Sequence, residues 1–432
     1  MNEKRSCWKG FDLYCERLQQ LSRALRHRNY RLFFGGEVVS LSGLWMQRVA
    51  MSWLVYRLTS SVFLLGAVDF VGQLPVFFLA SFAGVYLEGW DLRRVIIICQ
   101  ILSMVHAFLL AILTLSGVVT YWHIIVLSVL LGVVNAFEIP ARQAFIIHMV
   151  EDRQDLGNAI ALNSSLFNVA RLLGPSLAGV VIALVGEGIC FLLNGFSYGA
   201  TLWALFAMKL KRGGRTFTEK RPFLENFFEG IAYVRGFFPI RAALMALVVV
   251  SFFGLPYLVL LPVFAKDILS GGPQTLGFLT AASGMGALGG SFMLALRKTP
   301  VGLGKIMALA MSGFGICVAF FAFSRWFPFS LLLMAGIGFT MISSMVAGNT
   351  LIQTLVDDDK RGRVMSLFIV ALTGIAPFGS LFAGWLASKI DAPLTLACGG
   401  FICVGMGGWL WKKYPVLWEY AEPVYKKLHL ID

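Results

Sequence analysis

The chain has 432 residues, 58% of them hydrophobic and 14% charged, and a net charge of +13. So apolar a composition with so little charge excludes a soluble globular protein. Forty-five Gly against 14 Pro fit helices packed through small residues, and no series of alternating segments of about ten residues suggests a β-barrel.

Residues 1–31 are broken by Arg, Lys, Glu and Asp and hold neither a short apolar core nor a small-residue cleavage site, so they read as a tail rather than a cleaved signal. Twelve apolar spans follow, at 32–56, 62–87, 95–116, 121–141, 157–184, 188–208, 242–265, 275–296, 302–324, 327–350, 364–388 and 393–411. Each is close to the ~20 residues a helix needs to cross a bilayer. The predicted fold is an all-α membrane protein of twelve transmembrane helices in two six-helix bundles, 32–208 and 242–411. A basic linker at 209–241 joins them and a tail at 412–432 closes the chain. Within the linker, 224–237 alternates charge with Phe, Ile, Tyr and Val at helical spacing, as an amphipathic helix on the membrane surface does. An ordinary basic linker is the other reading.

Twelve spans put both ends of the chain on one side. Thirty Lys and Arg fall on that side, against Arg57, Lys266, Arg325 and Lys389 on the other. By the positive-inside rule the termini are expected in the cytoplasm, and the surplus charge reflects topology rather than a nucleic-acid partner.

Taken along the chain, the charges inside spans carry the most information. Arg48 and Arg171 sit in spans 1 and 5, and a guanidinium cannot shed its charge to escape hydrocarbon. A central Arg costs roughly 2.5–3.5 kcal/mol even on the lenient insertion scale, so each is expected to face a bundle interior or a wet cavity. Glu37, Asp69 and Glu138 are the acids available to them. At 1.5 Å per residue, Arg48 lies ~24 Å from the inner end of span 1 and Asp69 ~10 Å below the outer surface, a depth at which they are expected to pair. Such a pair is either a proton-coupling device or a permanent structural tie. Glu37, near the inner surface, reads equally as a gate contact with Arg142 or a protonation site. Glu138 and Arg142 at i and i+4 satisfy each other, with Pro140 loosening the helix end. Arg171 has no local acid and is left to Glu37, Asp69 or an anionic substrate. His106, mid-span, is expected as a packed core residue.

Uncharged cavity candidates are Gln47, Gln73, Asn135, Asn163 and Asn168 in the first half, and Thr340, Ser343, Ser344 and Asn349 in the second. Trp45, Trp53, Phe252 and Tyr257 offer an aromatic lining. Few charges and many aromatics suit an amphiphilic or planar molecule better than a sugar or phosphate. The seven Cys form no C-x-x-C, and no metal-ligand spacing, phosphate loop or hydrolase motif occurs, so no metal, cofactor or enzymatic activity is expected.

The two halves repeat at an offset of 205 residues. Gly157-Asn158-Ala159 faces Gly362-Arg363-Val364, and Gly174-Pro175-Ser176-Leu177-Ala178-Gly179 faces Gly379-Ser380-Leu381-Phe382-Ala383-Gly384, which predicts a parallel duplication of six spans.

These features resemble the major facilitator superfamily over residues 29–411. The segment Gly84-Val-Tyr-Leu-Glu88-Gly89-Trp90-Asp91-Leu92-Arg93-Arg94 resembles its G-x-x-x-D-R-x-G-R-[RK] loop, although Gly89, Asp91 and Leu92 replace the expected Arg, Gly and Arg. The strings Arg28-Asn29-Tyr30-Arg31-Leu32-Phe33, Trp53-Leu54-Val55-Tyr56-Arg57-Leu58-Thr59, Pro140-Ala141-Arg142-Gln143-Ala144-Phe145 and Arg361-Gly362-Arg363-Val364-Met365-Ser366 resemble the enterobactin-exporter-like branch. Gly174, Pro175 and Gly179 resemble the span-5 motif associated with antiport. The resemblance implies a monomeric secondary transporter of the bacterial inner membrane, a proton-coupled exporter of siderophore-like or drug-like amphiphiles. It also implies a gate built from Gly84, Glu88, Asp91, Arg93, Arg94, Glu138, Arg142, Arg361 and Arg363. An uptake or lipid-moving transporter of the same fold, or a transport-inactive receptor, are the alternatives.

Overall fold

The computed structural model describes residues 23–150, 152, 155–209, 223–297, 299–357 and 359–428. The first bundle comprises α1 (Arg28–Thr59), α2 (Val62–Tyr86), α3 (Leu92–Leu115), α4 (Tyr121–Met149), α5 (Leu156–Val185) and α6 (Glu187–Ala207). A short helix, α7 (Phe223–Gly236), precedes the second bundle. That bundle comprises α8 (Phe238–Ile268), α9 (Pro273–Ala295), α10 (Leu303–Phe323), α11 (Phe327–Leu355), α12 (Arg361–Ile390) and α13 (Ala392–Lys412). It is followed by α14 (Tyr414–Lys427). Among the described residues, eleven helices are long and apolar enough to cross a membrane. The remaining member of the bundles, α1, is 32 residues long but carries Arg31, Glu37, Gln47 and Arg48 among its apolar side chains. Large apolar residues cover the outside, Leu184 being 77% exposed and Phe292 67%, a surface compatible with lipid and not with water.

Several helices overrun the expected spans. α4 continues to Met149 with Pro140 inside it, so Glu138 and Arg142 lie within the helix rather than at its loosened end. α8 is widened by π turns at Val250–Gly254 and Phe264–Ile268, and α12 by one at Val370–Gly374. The segment after 412, expected as a tail, forms α14, whose Leu417, Ala421 and Tyr425 recur every fourth residue and are buried. The amphipathic segment forms α7, which docks on the second half. Tyr233 donates to Asp357 at 3.1 Å, Arg363 pairs with Glu229, and burial raises the Tyr233 phenol above its ordinary pKa.

The duplication is visible in the packing. In the first bundle α1 packs on α5 and α6, α2 on α4, and α3 on α4 and α6. The second repeats the scheme, with α9 on α11 and α10 on α11 and α13. The bundles meet along two seams, α5 with α9 and α2 with α12. The repeated glycines serve the same purpose in each half. A Cβ on Gly174 would lie 2.5 Å from Cβ of Trp45 on α1, and one on Gly379 would lie 2.8 Å from Cα of Phe252 on α8. A Cβ on Gly179 would meet the Pro273 carbonyl at 3.0 Å, and one on Gly384 the Val62 carbonyl at 3.0 Å. Small residues allow this close approach of helices in a membrane. Val62, Gly179, Pro273 and Gly384 all lie toward the end of the molecule opposite the N terminus, α7 and α14, so the seams close that far end.

Replacing Gly179 and Gly384 by leucine is therefore expected to wedge the far end apart. Spin-label distances between the far ends of α5 and α9 should lengthen while the protein stays folded. Unchanged distances would contradict this assignment of the seam.

Candidate functional site

Arg171 lies at the midpoint of α5 and Arg48 two-thirds of the way along α1. Both guanidinia lie over the same indole, Arg48 5.1 Å and Arg171 5.9 Å from the Trp45 ring centroid. The backbone explains the meeting, since Gly174 brings α5 against Trp45 and Phe167 meets the ring edge-on at 5.5 Å. Arg171 is 9% exposed, whereas Arg48 is open to solvent although it belongs to the middle of a bundle. Val38, Trp45 and Arg48 recur at helical spacing on the part of α1 not buried by the bundle. Arg48 is the deepest charge on that exposed face of α1.

The expected direct Arg48–Asp69 pair is not formed. Their charges interact across a gap, but no ion pair within 4 Å joins them among the described residues. Asp69 instead accepts from Gln73 at 2.9 Å and lies near Ser380 on α12. Gly66, one turn earlier on α2, leaves room for the Ser380 backbone. Asp69 is thus a carboxylate at the seam between bundles. At the far end of the molecule Tyr56 of α1 donates to Asp267 of α8, and Lys266 lies 5.3 Å over the same Tyr56 ring.

A second charged cluster lies about a dozen Å in from the end that carries the termini. Arg142 binds Glu37 of α1 and Glu138 of its own helix, and Gln100 of α3 donates to Glu138 at 2.8 Å. Glu37 is 1% exposed and Gln100 0%. The i, i+4 pairing of Glu138 with Arg142 is as expected, but the guanidinium also serves Glu37, so two carboxylates share one cation. Oε1 of Glu37 has no hydrogen-bond partner among the described residues. Tyr198 of α6 lies beside this cluster, within reach of Asn194 and Ser103.

Gln47 is a correction to the expected cavity lining. It is 2% exposed and accepts from Asn194 at 2.8 Å in the α1–α6 contact. Ser344 is likewise buried, its hydroxyl without a partner among the described residues. Gln73, Asn135, Asn163 and Asn349 are half-buried, and Asn349 accepts from Gln353. The side chains of Glu88 and Asn168, and the surroundings of Gly84, lie outside the described residues. In the loop motif, Asp91 caps α3 by accepting from Arg93 and Arg94 amides at 3.0 and 3.3 Å, and its carboxylate pairs with Arg94. Arg93 donates to the Leu205 carbonyl at 2.6 Å, placing a cation on the C-terminal end of α6. Arg361 and Arg363 open α12, and Arg363 holds α7. His106 is buried and neither ring nitrogen has a partner among the described residues. Gln100, Asn194 and Tyr198 were not singled out from sequence. Their polarity inside apolar spans was the available signal.

Residues 22–415 match the family described as transmembrane secretion effectors, so the chain belongs to that family of the major facilitator superfamily. It is 23% identical over 383 residues to a Staphyloferrin A transporter of Staphylococcus aureus, covering 87% of this chain and 94% of that one. To the multidrug efflux pump Tap of Mycolicibacterium fortuitum it is 26% identical, covering 80% and 86%. Its fold resembles a bacterial homolog of the human lysosomal transporter Spinster, crystallised in an inward-facing and unoccupied conformation. That likeness has a TM-score of 0.65 at 12% identity and covers 94% of this chain and 98% of the other. The chain is a multi-pass membrane transporter of the major facilitator type.

Proposed function

We propose that this transporter is a proton-coupled exporter of amphiphilic small molecules in the bacterial inner membrane, with both termini in the cytoplasm. The distribution of basic residues supports that orientation, since Lys and Arg crowd the side of the termini and linker. In that frame the closed far end faces outward, and we read the exposed face of α1 that carries Arg48 as part of a path reached from the cytoplasm, the state in which an exporter loads. The efflux pump Tap and the secretion-effector description of the family agree with this direction.

The observation that carries the reading is Asp69, an acid on α2 that sits at the seam beside Ser380 of α12 and interacts across a gap with Arg48. Rocking the bundles to open the outer end separates α2 from α12. Asp69 then moves away from the polar groups of α12 and from the field of Arg48, and a carboxylate that loses such support in a desolvated site gains affinity for a proton from outside. Closing the outer end restores the field of Arg48, which favours the charged form and releases the proton inward. Substrate bound near Trp45 leaves outward while the proton enters. The Glu37–Arg142–Glu138 cluster lies on the cytoplasmic route and, with one carboxylate in excess of its cation, serves as the inner proton relay.

Efflux of a substrate panel from cells, with and without a proton uncoupler, tests the function. Accumulation must rise when the uncoupler is added. Orientation is tested by labelling introduced cysteines in a background without the native ones. In intact cells Ser270→Cys, in the exposed loop between α8 and α9, should react with an impermeant reagent. Thr299→Cys, in the loop between α9 and α10, should not. The opposite pattern would invert the assignment.

A further inference from the structure

We infer that the Arg48–Trp45–Arg171 cluster is an anion site, and that the substrates this chain prefers carry a carboxylate or comparable oxyanion beside an aromatic or apolar body. The inference rests on the reading of the exposed face of α1 as part of the transport path. Each guanidinium offers five N–H donors and no acceptor. Neither Arg48 nor Arg171 makes a hydrogen bond or ion pair with a described residue; what they share is the face of one indole. An indole face stabilises a cation by less than a central Arg costs in a membrane. The two cations also oppose each other, as the field of Arg171 at Arg48 shows. Asp69 offsets one of the two charges from across a gap, which leaves one cation uncompensated.

The site is therefore short of one negative group in the inward-loading state. The Trp45 indole N–H is buried without a partner among the described residues. A carboxylate accepts in bidentate fashion from a guanidinium, and the Trp45 and Phe167 rings offer a surface for the apolar part of the same molecule. Cationic amphiphiles meet two like charges here and are disfavoured.

The test uses the full chain purified in detergent and two probes sharing one fluorophore, dansyl-glutamate as the anion and dansylcadaverine as the cation, with binding read by fluorescence anisotropy. Dansyl-glutamate should bind at least about tenfold more tightly than dansylcadaverine, the factor expected for one charge-assisted contact. Arg48→Gln and Arg171→Gln should each lose about tenfold or more for the anion and gain for the cation. Arg48→Lys and Arg171→Lys keep the charge without the planar fork and should fall between, which separates loss of the site from loss of the fold. Equal or tighter binding of dansylcadaverine, no binding of the anion, or unchanged anion affinity in the glutamine variants would overturn the inference. Proteoliposomes separate the two levels of the argument. If wild type pumps dansylcadaverine under a pH gradient and Arg48→Gln does so equally well, the anion site falls and the exporter stands. If binding follows the expected order but no pH gradient moves either probe, the site stands and proton-coupled export falls.

Discussion

Replacing Arg142 by glutamine is expected to cause the largest loss of stability of any single change in the first bundle. The substitution leaves Glu37 and Glu138, 1% and 5% exposed, facing one another, with Gln100 as the one remaining donor to Glu138 among the described residues. Breaking a buried ion cluster by removing one partner costs about 3–5 kcal/mol, because the remaining charge stays desolvated. Folded yield in detergent and the thermal midpoint should both fall steeply. Adding Glu37→Gln or Glu138→Gln should restore part of the loss, since each removes one stranded charge. The double-mutant coupling should exceed the 0.5 kcal/mol at which independent sites are distinguished from interacting ones. A stable Arg142→Gln protein, or strict additivity, would mean that the cluster contributes little to the fold.

Much of this architecture is legible before any coordinate is known, and the residues show why. Twelve spans follow from apolar length, because a bilayer imposes that length on every crossing helix. The duplication follows from the recurrence of Gly174-Pro175 and Gly179 as Gly379-Ser380 and Gly384, and the packing uses both copies alike. Depth was also legible, since helical rise converts residue number into distance. Azimuth was not. Arg48 and Asp69 lie at comparable depth, yet Asp69 turns to α12 and Arg48 to Trp45. Gln47, one residue from Arg48, turns into α6, where Asn194 awaits it. A polar residue in an apolar span announces a partner but not whether that partner is a neighbouring helix or a substrate. The short α14 escaped notice because its apolar residues are interleaved with Lys, Glu and Pro. The π turns in α8 and α12 left no signal in the apolar pattern.

Asp69→Asn carries the second large expectation. The amide cannot ionise, so it imitates one protonation state permanently while keeping the acceptor that faces Gln73 and Ser380. A carrier coupled through this acid then binds substrate and rocks between its two states but gains nothing from a proton gradient. The decisive measurement is substrate flux in proteoliposomes, for wild type and Asp69→Asn, with and without an imposed pH gradient, alongside exchange at equal pH. The expected result is pH-driven flux in wild type, its abolition in Asp69→Asn, and exchange preserved in both. An Asp69→Asn protein that keeps the full pH-driven response would contradict coupling through Asp69.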